Sequence, residues 1–246
     1  MSHLLNLLGW SSLNSETISK LEEHKKLILV FQHTSKWDAF LYALYYMKYE
    51  IIRRRAYTLV TPRIGNSEIL KQFGFIPATD VDKKGGGMTK SIIDTVSKLD
   101  EYMIIISPKG CITNRPWRSG YYHLAKELGC EIVCGGFDYD QKKFVFKEPF
   151  IIGNKTLEEV NTQCQNNLKD ITPLVSSRME FELSESVKKK NITPISVWKV
   201  ALYSILMISL IVLITTLVIY LFERNSRHGP EIIDTIVKDD YAVINT

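Results

Sequence analysis

From residue 200 to residue 222 the chain reads VALYSILMISLIVLITTLVIYLF, 23 positions with no charge, no proline and no glycine. Coiled as an α-helix, such a run is about 35 Å long, slightly more than the roughly 30 Å hydrocarbon layer of a bilayer. Helices of this length that are apolar all round are rare inside globular cores, so the run predicts one C-terminal transmembrane helix. Trp198, Lys199 and Tyr203 flank one end, and Tyr220 and Arg224 the other, where interfacial anchors belong. Five cations precede the run (Arg178, Lys188, Lys189, Lys190 and Lys199) and three follow it (Arg224, Arg227 and Lys238). That bias predicts a single-pass membrane protein with residues 1–199 on the cytosolic side and the acidic tail 223–246 on the far side.

The remainder has the composition of a globular domain. With 45% hydrophobic and 24% charged residues among 246, there is ample apolar surface to offset chain entropy, which excludes a disordered chain. A net charge of +4 is too small to point to nucleic acid as a partner. The tail carries −2 and residues 1–222 carry +6, a sign suited to anionic headgroups and phosphorylated ligands beside a membrane. Cys111, Cys130, Cys134 and Cys164 follow no secretory leader and are expected to be reduced thiols. In the N-terminal segment 1–25, Leu4, Leu5, Leu8 and Trp10 share one helical face. Two readings stay open for it: a short helix on the membrane surface, or packing against the domain.

Short apolar runs of the kind that form buried parallel strands lie at residues 26–31 (KLILVF), 57–60, 102–106 and 131–137, with a last one near 144–146. Helical patterns lie between them at 36–48, 67–73, 89–99 and 120–128. Strands alternating with helices predict an α/β domain, a mostly parallel central sheet flanked by helices, over residues 26–187. Residues 188–199, opening with KKKNIT and a proline, read as the linker to the membrane span 200–222.

The chemistry-bearing residues follow predicted strands, and in α/β sheets ligands bind at the carboxyl ends of strands. After the first strand comes Gln32-His33-Thr34-Ser35-Lys36-Trp37-Asp38. On one continuous helix His33 and Asp38 would face apart, but Thr34 or Ser35 is a good N-cap. A turn there lets Asp38 reach back to the imidazole and form an oriented general base. A capping aspartate beside a surface histidine is the plainer alternative. Further on, Gly74-Phe75-Ile76-Pro77 precedes Lys83, Lys84 and Gly85-Gly86-Gly87, where backbone N–H groups and cations are candidates to hold an anion. The third stretch holds Ser107-Pro108-Lys109-Gly110-Cys111-Ile112 and then Arg115-Pro116-Trp117-Arg118-Ser119-Gly120-Tyr121-Tyr122-His123. Cys130, Cys134 and His123 read as packed thiols beside a histidine, and no metal is expected. Trp37, Phe40, Tyr42, Tyr45, Tyr46 and Tyr49 are dense enough to line an acyl channel, although core packing explains most of them.

Together the three stretches, over roughly residues 26–150, resemble the glycerophospholipid acyltransferase family, which includes lysophosphatidic acid and glycerol-phosphate acyltransferases. The family's H-x4-D block is matched by His33 and Asp38, and its second block partly by Gly74-Phe75-Ile76-Pro77. The continuation of its third block in short bacterial-type members, W-[KR]-[ST]-G-[FY]-Y-H, is matched in full by Trp117 to His123. There are departures. The third-block glutamate is Lys109, its threonine and arginine are Cys111 and Ile112, the second-block arginine is absent at Ala78-Thr79-Asp80, and the fourth-block proline is replaced by Cys134.

The resemblance implies a membrane-bound O-acyltransferase of phospholipid biosynthesis. It would move a fatty acyl group from acyl-CoA or acyl carrier protein to the hydroxyl of a lysophospholipid or glycerol phosphate, without a cofactor. His33 is the implied base and Asp38 its partner. Lys109, Gly110, Lys83, Lys84 and Arg118 are candidate substrate-binding residues, with backbone N–H groups near Gly110 as oxyanion donors. Lys109 in particular implies an anionic acceptor. The altered second and third blocks keep a rival reading open, in which the domain is a catalytically weak or inactive lipid-binding or membrane scaffold protein.

Overall fold

A computed structural model describes residues 2–60, 71, 74–77, 87–110, 112, 115–190, 192, 201, 202, 205, 209 and 216. The chain divides into two units, Met1–Thr193 and Pro194–Thr246. The first is an α/β domain. Its elements, in order, are α1 (Ser2–Leu7), α2 (Ser15–Glu23), β1 (Lys26–Gln32), α3 (Lys36–Lys48), α4 (Glu50–Arg55), β2 (Ala56–Val60), β3 (Phe75–Pro77), α5 (Gly87–Val96), β4 (Tyr102–Ile106), α6 (Gly120–Leu128), β5 (Glu131–Asp138), β6 (Lys143–Phe146), α7 (Leu157–Leu168), a 3-10 turn (Ser176–Arg178) and α8 (Glu185–Lys188).

The six strands form one sheet in the order β3-β2-β4-β1-β5-β6. All pairings are parallel except β5 with β6. That last strand departs from the parallel pattern because only four residues separate it from β5. So short a connection makes a hairpin, whereas a parallel crossover needs a dozen residues or more. At the sheet's centre, β1 pairs with β4 from Lys26↔Tyr102 to Val30↔Ile106 and with β5 from Leu27↔Glu131 to Gln32↔Gly136.

Both faces of β1 are covered, which is why it reads as an unbroken apolar run. Ile28 and Val30 face the main core, with Ile104 and Ile106 of β4, Ile132 and Cys134 of β5, and buried residues of α5, α6 and α7. On the opposite face Leu29, Tyr42, Tyr45, Met103, Phe137 and Phe144 pack together under α2, α3 and α4, leaving a gap of only about 10 Å³. Tyr45 stacks on Tyr49 at 6.0 Å and also meets Phe137 and Phe144. These aromatics therefore build the second core layer. The N-terminal segment packs on the same domain. Leu5 and Trp10 are buried, and Trp10 meets Phe137 and Tyr139 edge-on at 5.6 and 5.2 Å. Of the helical patterns, 36–48 and 120–128 coincide with α3 and α6 and 89–99 overlaps α5, while α2, α4 and α7 lie outside the expected patterns, although Val160, Cys164 and Leu168 of α7 recur at helical spacing and are buried.

Gly74 illustrates a position fixed by backbone geometry. Its φ is +75°, and a Cβ there would sit 2.2 Å from the Ala56 carbonyl oxygen. Thr58 N–H donates to Gly74 O at 2.8 Å, tying the turn to β2. Only glycine satisfies both demands.

Apart from Ala201, Leu202, Ile205, Ser209 and Thr216, the expected span 200–222 lies outside the described residues, as do tail 223–246 and, apart from Lys71, the expected helix 67–73. Among the described residues no helix is long and apolar enough to cross a membrane.

Candidate functional site

Strands β4, β1 and β5 end side by side, so the loops after them converge. His33 leaves β1, Ser107–Gly110 leaves β4 and Tyr139 leaves β5. Ser35 caps α3: its hydroxyl accepts from Trp37 N–H at 3.1 Å, and Asp38, the third helical residue, completes a capping box. This local folding turns Asp38 back over the strand end.

Asp38 is buried, and both its oxygens are occupied. Oδ2 accepts from the backbone N–H of Thr34 at 2.7 Å and of Ser35 at 2.8 Å, and lies 3.1 Å from His33 Nδ1. Oδ1 accepts from the Tyr139 hydroxyl at 2.5 Å. Burial and the Asp38 carboxylate push the Tyr139 hydroxyl far above the ordinary phenol range, so it stays a neutral donor. A carboxylate only accepts, so Nδ1 carries the imidazole proton and Nε2 is left with its lone pair. His33 is half-buried, with 26% of its side chain exposed. The arrangement is an imidazole of fixed tautomer at the mouth of a parallel sheet, able to take a proton at Nε2.

A strap after α7 crosses this mouth. Arg178 Nη1 donates to the Thr34 carbonyl at 2.7 Å, and Lys109 Nζ donates to the Arg178 carbonyl. Phe181 meets Trp117 edge-on at 6.0 Å, and Tyr139 N–H donates to Thr172 O at 2.9 Å. Between strap and strand ends lies a narrow cleft of about 10 Å³, room for about one water, lined by His33, Gln32, Ser107 and Lys109 below and by Met179 and Glu180 above.

The sequence-predicted residues divide accordingly. His33 and Asp38 are brought together. Lys109 reaches the same cleft, but it is buried and its ammonium holds the strap. Gly110 has φ +67°, and its own N–H donates to Ser107 O at 2.9 Å, so it closes a turn. An oxyanion donor in this loop must be another N–H. Arg118 lies against Gly110, with its guanidinium 3.9 Å from where a Cβ would be, and it is exposed. Lys83 and Lys84 lie outside the described residues. Cys130, Cys134 and Cys164 are buried free thiols, and burial pushes the Cys130 thiol up to about 11. His123, on an exposed face of α6, is not gathered with them. Among the described residues no group of three or more His, Cys, Asp or Glu side chains is arranged to hold a metal ion.

Tyr139, Arg178 and Glu180 were not legible as site residues. The one available signal for Tyr139 was its place just after the expected strand 131–137. The strap carries none, because its contacts span more than 60 residues of sequence. No protein-family model matches this chain, and no curated protein matches it.

Proposed function

We propose that this chain is a membrane-anchored O-acyltransferase that moves a fatty acyl group from acyl-CoA or acyl carrier protein to the hydroxyl of a lysophospholipid or glycerol phosphate, a step of phospholipid biosynthesis. The observation that carries the reading is the His33 Nδ1 to Asp38 Oδ2 contact of 3.1 Å at the carboxyl end of β1, with the same Oδ2 accepting from the backbone N–H groups of Thr34 and Ser35. The resemblance of residues 26–150 to glycerophospholipid acyltransferases supports it.

In this reading His33 Nε2 takes the proton from the acceptor hydroxyl as its oxygen attacks the thioester carbonyl carbon. Asp38 stabilises the imidazolium, and Tyr139 holds Asp38. The tetrahedral intermediate then expels the thiolate, the C–S bond breaks, and the imidazolium returns the proton to sulfur. No cofactor takes part in these steps. The apolar run 200–222 is the proposed anchor, with the domain on the cytosolic side, and Leu202 and Ile205 are exposed as such an anchor requires. The test is turnover of labelled acyl-CoA with a panel of lysolipids in detergent. His33→Ala should lower turnover by at least about 10²-fold without loss of fold, and unchanged turnover would remove His33 as the base.

A second reading, a lipid-binding or scaffold protein of weak or no activity, is favoured by one feature: the strap held by Lys109 and Arg178 narrows the cleft beside His33. It predicts lysolipid binding without transfer in the same assay.

A further inference from the structure

Helix α3 differs from the other helices of its unit in what it shows to solvent. Every described exposed residue of α2 and of α4 to α8 is polar or charged, for example Glu16 and Ser19 on α2, Lys126 and Glu127 on α6, and Glu158 and Thr162 on α7. On α3 the exposed residues are Lys36, Ala39, Ala43 and Met47. At about 3.6 residues per turn these four form one stripe, with the half-buried Phe40 and Tyr46 along its edges. Past Lys36 the stripe carries no charge before α4 begins at Glu50. The opposite face buries Leu41, Leu44 and Tyr45. A helix that is apolar on both sides is expected to be covered on both sides, yet Met47 is 41% exposed. Among the described residues, the other large apolar side chain exposed on a helix of this unit is Leu7, 51% exposed on α1, and α1 packs against α3.

The charges around the stripe say what covers it. Lys36 is the first residue of α3, where a cation opposes the helix dipole, so helix stability gives no reason for it. At the far end Arg53 Nη1 donates to the Met47 carbonyl at 3.3 Å, and the Tyr46 hydroxyl donates to the Arg53 carbonyl at 3.4 Å. These contacts hold an exposed arginine beside the end of the stripe. Arg54, also exposed, pairs with Glu101 at 2.7 Å. Glu50 is the acid at this end, and Arg53 follows it by one turn. An uncharged apolar stripe with cations at both ends, flanked by Trp37 and Tyr46, has the chemistry of a lipid surface. Apolar side chains enter the acyl boundary, cations meet anionic headgroups, and amphipathic rings lie between them. At 13 residues α3 is about 20 Å long, too short to cross a bilayer and suited to lying along one.

We propose that the outer face of α3 docks on the surface of an anionic bilayer. Since α3 begins three residues after His33 and carries Asp38, docking brings the mouth of the sheet to the headgroup layer. Where the run 200–222 tethers the chain, as proposed above, α3 fixes which side of the domain faces the lipid. The inference goes beyond acyl transfer and is tested without turnover.

The experiment uses the full chain in nanodiscs, whose two lipid faces are both open to solvent, made of phosphatidylcholine with or without phosphatidylglycerol. A nitrobenzoxadiazole dye is attached through Ala43→Cys on the stripe or through Thr162→Cys on the polar face of α7. The wild type, treated alike, gives the signal of the native thiols. With phosphatidylglycerol present, the dye at position 43 should be quenched by nitroxide on the acyl chains and shielded from iodide in the water, and the dye at position 162 the reverse. Lys36→Gln should lower the ratio of docked to free domain by about 5-fold, the share of one cation at such a surface. Met47→Glu should abolish lipid quenching at position 43 without lowering the melting temperature, because the side chain already stands in solvent. If iodide reaches position 43 in discs that carry the chain, docking is overturned and the anchor stands. Shielding from iodide without quenching by lipid nitroxide means that protein covers the face, a second copy or another segment of this chain, and overturns docking as well. Lipid quenching of the same size without phosphatidylglycerol overturns the assignment to an anionic surface. A chain that elutes apart from discs of both compositions overturns docking together with the anchor.

Discussion

Replacing Asp38 with alanine removes the acceptor of four hydrogen bonds from one buried place. His33 is half-buried and can turn its Nδ1–H to water, so its loss costs little stability. The other three donors have no such exit: Thr34 N–H at 2.7 Å, Ser35 N–H at 2.8 Å and the Tyr139 hydroxyl at 2.5 Å. A buried donor left unpaired costs about 1–3 kcal/mol, and water entering the vacated space holds each near the lower half of that range. Asp38→Ala should therefore destabilise the domain by about 3–6 kcal/mol, a large share of the about 5–15 kcal/mol typical of a domain. Asp38→Asn is the matched control. Its amide oxygen can occupy the Oδ2 position and its NH2 can donate to Tyr139, whose hydroxyl turns to accept, so the loss should stay below about 2 kcal/mol. Urea titration of the full chain in mild detergent gives both values, followed by tryptophan fluorescence. Trp10, 5.2 Å from the Tyr139 ring, is a local reporter. If Asp38→Ala lies within about 0.5 kcal/mol of wild type, the carboxylate does not organise this turn, and the oriented-imidazole reasoning fails with it.

Tyr139→Phe keeps the ring against Trp10 but strips one donor from the carboxylate. It should cost about 1.5–3 kcal/mol in the same titration, and lower kcat while leaving acyl-CoA KM unchanged. Gly74→Ala should destabilise the domain by more than about 1 kcal/mol, because φ of +75° and the Ala56 carbonyl both refuse a Cβ. The Cys130 thiol, raised from 9.0 to about 11 by burial, binds its proton more tightly folded than unfolded. Its contribution is full below pH 9 and fades as the pH climbs toward 11, so urea midpoints should fall over that window and fall less in Cys130→Ala. Truncation after Lys190 should release a folded domain from membranes. A truncated protein that stays bound as tightly as the full chain would make the N-terminal segment or the cleft the main anchor.

The sequence by itself determined the parallel core and the position of the dyad. Runs such as KLILVF are apolar on both faces because β1 is covered twice, and that pattern is local. The turn that joins His33 to Asp38 is local too: a serine cap and a carboxylate three residues on fold it back. Tertiary structure alone decided the rest of the site. Tyr139 reaches Asp38 across 101 residues and Arg178 reaches Thr34 across 144, contacts that exist only because β1 and β5 are neighbours and the chain after α7 returns over them. The contact that Lys109 makes is decided in the same way. Its sequence neighbours mark it as a cation after a strand, but the carbonyl it meets lies 69 residues away. No periodicity or spacing encodes such a meeting, since the free energy that secures it belongs to the packed sheet and strap rather than to either segment alone.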